Sequence, residues 1–144
     1  MVECRVVEYG STGFSHCAAI RMEVFVGEQR VPAEEEMDDL DATSLHVLAL
    51  EHGEPVGTGR LVPSGEGTAK IGRMAVLNRY RGLGIGGAIL NELLSQARVS
   101  GVREVSLAAQ RHAISFYERF AFVAEGDIFL EAGIEHRTMR KSLD

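Results

Sequence analysis

The sequence predicts an α/β domain of the α+β kind, in which a central mixed, mostly antiparallel sheet of about six to seven strands is flanked by helices. Three observations predict it. Short runs rich in β-branched residues recur from the beginning to the end of the chain. Two longer segments keep the helical spacing of apolar residues. The 144 residues are enough for one well-buried core, so we expect a single domain over residues 1–144.

The first half of the chain predicts a strand, a helix, a loop and a hairpin. VECRVVEY alternates as a strand does, and Ser11 or Thr12 is placed to cap a helix that runs to about Phe25. The next eighteen residues, GEQRVPAEEEMDDLDATS, have no periodicity and predict a long loop with one short helical turn. LHVLALE and PVGTGRLVP on either side of His52-Gly53 predict a hairpin.

The second half adds strands and helices in alternation. AKIGRMAVL predicts a strand, and apolar residues from Ile85 to about Ser100 predict a helix that Gly101 ends. VREVSLAA predicts a further strand, Ala113 to Phe120 a short helix, and FVAEG and EHRTMRKSL two closing strands. The predicted order is therefore strand, helix, three strands, helix, strand, helix and two strands.

The charge is localised. Of the 21 acidic side chains, six lie in Glu34–Asp41, and without them the acids equal the 15 lysines and arginines in number. A neutral body with one acidic patch predicts no nucleic-acid partner, which would need a basic face, and is compatible with a cationic partner. No apolar run is long enough for a membrane span, and the first residues do not resemble a signal peptide, so we expect no membrane partner and a cytoplasmic protein. Cys4 and Cys17 are expected to remain thiols and to be buried as small hydrophobic residues.

A glycine-rich stretch, YRGLGIGGAIL at Tyr80–Leu90, matches two different phosphate-binding motifs. Gly82, Gly84 and Gly87 spell the dinucleotide fingerprint G-x-G-x-x-G. A dinucleotide fold runs its strand almost directly into the first glycine, however, whereas here Asn78–Arg81 intervenes. The following strand also ends without the acid that would bind a ribose hydroxyl. These differences disfavour a dinucleotide site.

The second reading is R-x-x-G-x-G, formed by Arg81, Gly84 and Gly86. Free amides at a helix start attract phosphates, glycines allow close approach of the backbone, and Arg79 adds positive charge. A P-loop is excluded because Ala88-Ile89 stands where lysine and serine or threonine are required. The remaining alternative is a glycine loop tightened only for packing, and we favour the phosphate site over it.

Several motifs of the sequence resemble those of the GCN5-related N-acetyltransferases (GNAT). MAVLNRYRGLGIGGAIL looks like that family's pyrophosphate motif, and LAAQRHAISFYERFAF looks like its following strand and tyrosine-bearing helix. RMEVFVGEQRVPAEEEMDDLDATSLHV, EPVGTGRLV and FLEAGIEHRTM resemble the ElaA/YjcF-like subgroup. One departure is Ala121, where the family usually has glycine; in a left-handed conformation alanine would cost about 1 kcal/mol.

The resemblance implies a GNAT-type fold and direct transfer of an acetyl group from acetyl-coenzyme A to a primary amine of a small molecule or peptide, with the coenzyme as co-substrate. It implies that Tyr117 is the catalytic acid that protonates the leaving thiolate, although the residue also fits an ordinary core position. The strand before the glycine loop is expected to bind the coenzyme through its backbone, and Gln110 through its side chain. The expected coenzyme-binding residues are Met74, Ala75, Val76, Arg81, Gly82, Leu83, Gly84, Ile85, Gly86, Gly87 and Gln110.

The acceptor side is less defined by the sequence. The E-x-D-x-x-D acids of the loop, together with an upstream glutamate and an arginine, are expected to line the substrate mouth, and the alternative is a solvated acidic face. Arg60 and Arg73 lie on neighbouring predicted strands and could hold a substrate carboxylate or neutralise the loop. The histidines lack metal-ligand spacing, so we expect no metal, and the family resemblance allows a homodimer. The expected substrate residues are Glu28, Glu36, Asp38, Asp41 and Arg73.

Two alternative functions remain open. Arg21, Phe25 and the loop acids also resemble the R-x-x-x-F…E-x-D-x-x-D pattern of acyl-homoserine-lactone synthases, which take an acyl carrier protein and S-adenosylmethionine. The chain is shorter than those enzymes and keeps the coenzyme A glycine loop, so we rank this alternative lower. The other is a catalytically silent coenzyme A-binding sensor module, because a fold does not guarantee an activity.

Overall fold

The computed structural model describes residues 2–144, and its elements follow the predicted order. The strands are β1 (Val2–Val7), β2 (Leu45–Glu51), β3 (Glu54–Gly65), β4 (Thr68–Val76), β5 (Glu104–Gln110), β6 (Val123–Glu131) and β7 (Ile134–Ser142). The α-helices are α1 (Thr12–Arg21), α2 (Ala33–Glu36), α3 (Ile85–Val99) and α4 (Ile114–Glu118).

The seven strands form one sheet in the order β1-β2-β3-β4-β5-β7-β6. Five of the described pairings are antiparallel, and β4 with β5 is the parallel one. The prediction of a mixed, mostly antiparallel sheet flanked by helices is confirmed. The parallel pair requires a crossover, which α3 supplies, and it places the carboxyl ends of β4 and β5 side by side.

The two faces of the sheet carry different helices because the apolar side chains of its central strands alternate. On β2, Val47 and Ala49 belong to the core under α3, whereas Leu48 and Leu50 pack with α1. Cys17 of α1 is fully buried in that second cluster, and both cysteines are free thiols. The centre of the sheet is therefore covered on both faces.

Two glycines on β3 allow α3 to lie close to the sheet. A Cβ at Gly57 would come within 2.8 Å of the Ile89 side chain, and one at Gly59 within 2.8 Å of the Leu93 side chain. Both contacts are shorter than real Cβ contacts, so a larger residue at either position would force the facing side chain of α3 to shift. The close packing fixes α3, and therefore the loop that precedes it, relative to β3.

The structure corrects the predicted boundaries around the first helix. Ser11 is the N-cap and accepts from the Phe14 amide, as predicted, but the α-helix ends at Arg21 and widens into a π-helix over Met22–Glu28. Short π-helices are rare in proteins, and those that occur are often found at functional sites. The predicted loop is also more structured than expected, since it contains α2 and a 3₁₀ helix at Asp39–Thr43.

Two turn positions have a left-handed backbone. Gly101, after α3, has φ +83°, and Ala121, after α4, has φ +67°. Ala121 therefore stands where glycine would be less strained. In the part of the chain that the structure describes, no helix combines the length and apolarity that crossing a membrane requires.

Candidate functional site

The strands β4 and β5 diverge where their pairing ends. They pair from Thr68 with Glu104 to Ile71 with Leu107, and beyond these residues β4 and β5 no longer pair with each other. A cavity of about 590 Å³ lies beside the diverging segments. The second half of β4, the end of β5, the π-helix, α4 and the turn between β6 and β7 all contribute to its lining.

A bulge in β4 shapes one wall of the cavity. Thr58 and Arg60 of β3 pair with Ala75 and Gly72 of β4, so β4 has one additional residue in this interval. Within it, Arg73 has φ +51°, a conformation that typically costs about 1–3 kcal/mol for a non-glycine residue. Bulges re-aim side chains and are frequent next to active sites.

The glycine loop divides into two functional halves. Gly82 and Gly84 have φ +79° and +82°, and a Cβ at either would meet nothing within 4 Å, so the backbone here faces open space. Gly84 is the N-cap of α3, which leaves the first amides of that helix without intrahelical partners. Gly86 and Gly87 lie inside the helix, where a Cβ would approach the ring of Phe116 on α4 to 3.5 Å and that of Phe120, just after α4, to 3.1 Å. The first pair exposes the backbone, and the second lets α3 and α4 pack closely.

Arg81, just before these glycines, lies against the end of β4. Its Nε donates to the Val76 carbonyl at 2.8 Å, and its guanidinium lies 2.9 Å from the carboxylate of Glu28. Both side chains of this ion pair are more than one third exposed. Glu28, predicted on the acceptor side, therefore contacts the predicted phosphate-binding arginine instead of lining the cavity.

Tyr117 of α4 lines the cavity with Met74 of the β4 bulge. The Tyr117 hydroxyl donates to the Met74 sulfur at 3.6 Å, which is a weak acceptor. Burial raises the pKa of Tyr117 to about 12, so the phenol keeps its proton at neutral pH. The hydroxyl is thus a protonated donor with a weakly held partner.

Two glutamines join the π-helix to β5 at the cavity. Gln29 donates to Gln110 at 3.2 Å, and Gln110 donates back to Gln29 at 2.8 Å. Each amide thus satisfies the other. Gln110, predicted to bind the coenzyme, lies at the cavity with its amide in this pair.

Behind the cavity wall, Arg21 is the centre of a buried ion-pair network. It is 1% exposed and donates to Asp41 through two nitrogens, at 2.8 and 3.1 Å, and to Glu36 at 2.9 Å. Asp41 is also 2% exposed and does not line the cavity. Burial lowers the pKa of His46, so its neutral ring donates from Nε2 to the Asp41 carbonyl at 2.9 Å.

Two further arginines complete the network from the sheet. Arg60 donates to Asp38 at 2.8 and 3.0 Å and to Asp41 at 2.8 Å. Arg73 lies 2.9 Å from the Glu36 carboxylate and 3.2 Å from that of Asp38. These contacts hold the side chain of the strained residue in the β4 bulge. Of the two roles considered for Arg60 and Arg73, the structure contains the second, in which they neutralise the loop.

The carboxylates of the network differ in pKa. Burial raises the pKa of Glu36 and outweighs the hydrogen bond from Arg21 and the charge of Arg73. Burial would also raise the pKa of Asp41, but hydrogen bonds and charge from Arg21 and Arg60 outweigh it and hold that pKa below its ordinary value. The hydrogen bond from Arg60 lowers the pKa of Asp38.

The network changes the electrostatic picture drawn from the sequence. Three carboxylates of the acidic loop meet three arginines, so these acids leave no net charge to attract a cationic acceptor. Among the predicted substrate residues, Glu36, Asp38 and Arg73 still line the cavity, whereas Glu28 and Asp41 do not. No group of three or more histidine, cysteine, aspartate or glutamate side chains within residues 2–144 is arranged to hold a metal ion.

One residue that sequence reasoning passed over also lines the cavity. His136 of β7 is 6% exposed, and from the sequence it was a candidate only for a metal ligand. A signal was present, because FLEAGIEHRTM is one of the motifs that resemble the ElaA/YjcF-like subgroup. The strand pairing that brings this motif to the cavity is not visible in the local sequence.

Comparisons with known proteins agree with this geometry. A model of the acetyltransferase (GNAT) domain matches residues 8–143. The uncharacterized N-acetyltransferase YjcF of Bacillus subtilis is 41% identical over 123 residues, which are 85% of this chain and 87% of YjcF.

Two solved structures have the same fold over almost their whole length. An acyl-CoA N-acyltransferase from Pseudomonas aeruginosa is 30% identical in sequence, with a TM-score of 0.86. The match covers 98% of this chain and 99% of that one. Escherichia coli ElaA is 27% identical, with a TM-score of 0.87 and the same coverage of both chains. The glycine loop at the start of α3, the diverging strands β4 and β5 and these matches lead to one conclusion: the chain is an N-acetyltransferase of the GNAT family, with YjcF and ElaA among its relatives, as its motifs predict.

Proposed function

We propose that the protein transfers the acetyl group of acetyl-coenzyme A to a primary amine of a small molecule or peptide. The observation that carries the proposal is the opening between β4 and β5, which lies beside a helix start whose glycines leave the backbone open. A long thioester cofactor can lie with its phosphates at the glycine loop and its acyl end in the cavity.

In this proposal the pyrophosphate binds the amides that follow Gly82 and Gly84. The dipole of α3 favours an anion at this end of the helix, and the open space beside both glycines leaves room for phosphate oxygens. Arg81 adds a positive charge once it exchanges Glu28 for phosphate. The pantetheine arm then runs along the backbone of Met74, Ala75 and Val76.

Transfer requires stabilisation of charge on two atoms, the carbonyl oxygen and the departing sulfur. A backbone amide of the β4 bulge would polarise the thioester carbonyl. Tyr117 would exchange the Met74 sulfur for the thioester sulfur. A phenol with a pKa about 12 is a weaker acid than an ordinary thiol, whose pKa is about 8.5. Tyr117 therefore acts first as a hydrogen-bond donor to the developing thiolate, and its proton moves only as the amine nitrogen supplies a replacement.

The ion-pair network has a positioning role in this scheme. Glu36 and Asp38 hold Arg73, and through it the bulge that aims Met74 and Ala75 at the cavity. The homoserine-lactone-synthase pattern that the sequence also resembles falls on the same network. Its arginine and acids bind one another, so they do not independently support S-adenosylmethionine as a substrate.

The test measures free thiol from acetyl-coenzyme A with a panel of primary amines, amino acids and short peptides. Acetyl transfer to any of them, with no thiol release from an acylated acyl carrier protein in the presence of S-adenosylmethionine, supports the proposal. Calorimetry with acetyl-coenzyme A and, separately, NAD checks the donor, and NAD should not bind. Binding of acetyl-coenzyme A with no transfer across the panel would instead favour the silent sensor.

A further inference from the structure

We infer that Nε2 of His136 is the general base that takes a proton from the acceptor ammonium group, an assignment that rests on the proposed function. The sequence left the base open among the acids of the loop. The structure favours the histidine through its place in the sheet, its fixed tautomer and its nearest charge.

The strand pairing turns His136 toward the cavity. His136 on β7 pairs directly with Gln110 on β5. Residues opposite each other in an antiparallel pair project from the same face of the sheet. The side chain of Gln110 meets that of Gln29, which follows the π-helix, at the cavity, so His136 projects from that same face and is part of the lining.

The hydrogen bond of the ring fixes where its proton is. Nδ1 of His136 lies 2.7 Å from the carbonyl oxygen of Ile134. A carbonyl only accepts, so Nδ1 carries the hydrogen of the neutral ring and Nε2 has the free lone pair. The ring also stacks on Phe129, with centroids 5.9 Å apart, which holds its plane.

A carboxylate is placed to stabilise the ring once it is protonated. Nε2 lies 3.9 Å from Oε2 of Glu131, a residue that also lines the cavity. The neutral ring gains little from this contact, whereas the imidazolium gains an ion pair. Glu131 is thus placed as the counter-ion of the protonated ring.

Three other titratable groups at the cavity suit this role less well. Asp38 is held by two arginines, and hydrogen bonding from Arg60 lowers its pKa, which makes it a poor base. Glu36 has two arginines on one carboxylate oxygen. His112 also lines the cavity, but it is exposed and has no hydrogen bond or ion pair among the described residues that would fix its tautomer.

The proton balance of the step is complete without a further reagent. The ammonium group gives one proton to Nε2 of His136, and the neutral amine attacks the thioester carbonyl carbon. The C–N bond forms and the C–S bond breaks. Tyr117 protonates the thiolate and regains a proton from the nitrogen as it becomes an amide. The His136 imidazolium then loses its proton to solvent, so the net products are amide, thiol and one proton.

The experiment compares His136→Asn with His16→Asn, a change at an exposed histidine of α1 that does not line the cavity. The asparagine amide can donate to the Ile134 carbonyl as Nδ1 does, so the first variant keeps the hydrogen bond and loses the base. With the amine that the wild type acetylates fastest, kcat should fall roughly 10²–10⁴-fold in His136→Asn. The KM for acetyl-coenzyme A and the melting temperature should hold, and His16→Asn should stay within about twofold of wild type.

Each result decides between the assignments. Wild-type kcat in His136→Asn, with transfer intact, overturns the base and leaves the proposed function standing. A wild type that binds acetyl-coenzyme A and acetylates no amine contradicts the proposed function, and the base falls with it. Long-range proton–nitrogen spectra of the imidazoles give a readout without turnover: a proton on Nδ1 of His136 supports the assignment, and a proton on Nε2 of the neutral ring overturns it.

Discussion

The guanidinium of Arg81 lies 2.9 Å from the carboxylate of Glu28, so two residues that the sequence assigned to different ligands are paired with each other. A phosphate at the glycine loop has to compete with Glu28 for this arginine. The pair is exposed enough to be screened by solvent, and such pairs are worth about 0.2–1 kcal/mol.

Glu28→Gln should therefore bind acetyl-coenzyme A about 1.4- to 5-fold more tightly, as measured by calorimetry at low salt. Glu104→Gln is the control, because it removes a carboxylate from an exposed ion pair with Arg140, outside the site. If Glu28→Gln leaves the coenzyme affinity unchanged and raises the KM of the acceptor, Glu28 belongs to the acceptor side, as the sequence analysis expected.

The glycine loop offers a matched pair of substitutions at the two ends of α3. Gly84 and Gly101 have φ +82° and +83°, and a Cβ at either meets nothing within 4 Å. Valine should cost a similar amount at both positions, about 1–3 kcal/mol of stability, because the backbone strain is the same. Only Gly84→Val should abolish binding of acetyl-coenzyme A, since its side chain occupies the space of the phosphate.

Melting curves and calorimetry on both variants check this expectation. Wild-type affinity in a folded Gly84→Val protein would remove the glycine loop from the coenzyme site. An equal loss of affinity in Gly101→Val would show that strain in the helix, and not contact with phosphate, causes the effect.

Local patterns in the sequence predict the elements and the glycine loop well, because strands, helices and caps depend on neighbouring residues. Ser11 and Gly101 are examples, and each lies at the helix end where it was expected. Features that arise from tertiary pairing are different. The bulge at Arg73 is a shift in the pairing of β4 with β3, and the acidic loop holds the Arg73 side chain. Both β3 and the loop lie more than a few residues from Arg73 in the sequence.

The same limit applies to charge. The sequence shows six acids in eight residues and predicts an acidic patch, but three of them face arginines that lie 15 or more residues away. Their partners, Arg21, Arg60 and Arg73, come from α1, β3 and β4. Only the fold brings these charges together, so sequence spacing could not distinguish a cationic-ligand site from a neutral network.

Arg21 is expected to be the most sensitive position of that network. Arg21→Gln leaves Asp41 and Glu36 buried with fewer partners, and loss of one member of a buried pair costs about 3–5 kcal/mol. Arg103→Gln, at an exposed pair with Asp144, should cost less than about 1 kcal/mol. Urea unfolding measures both, and similar small losses would mean that water reaches the network.

Acid should weaken the network through Asp38. Because its pKa is lowered in the folded chain, the stability it contributes is present above its unfolded value, about 3.9, and is lost as the pH falls through the folded value. Asp38→Asn keeps an acceptor for the Leu40 amide that Asp38 caps. The variant should be less stable at pH 7, and its melting temperature should fall less steeply than that of wild type below about pH 4. Parallel curves for the two proteins would contradict this role.

Tyr117 provides the sharpest test of the proposed chemistry. Tyr117→Phe removes a hydroxyl whose partner in the structure is a thioether sulfur at 3.6 Å, so little stability should be lost. We expect turnover to fall roughly 10²–10⁴-fold while the affinity for acetyl-coenzyme A holds. Tyr9→Phe, at an exposed tyrosine, is the control and should change neither. Single-turnover measurements make the comparison independent of product release, which could otherwise hide the loss.

Ultraviolet titration adds a direct check, because one phenolate signal should develop only near pH 12 in wild type and be absent from Tyr117→Phe. A lower melting temperature with an unchanged rate in the folded fraction would make Tyr117 a core residue and require another donor for the thiolate.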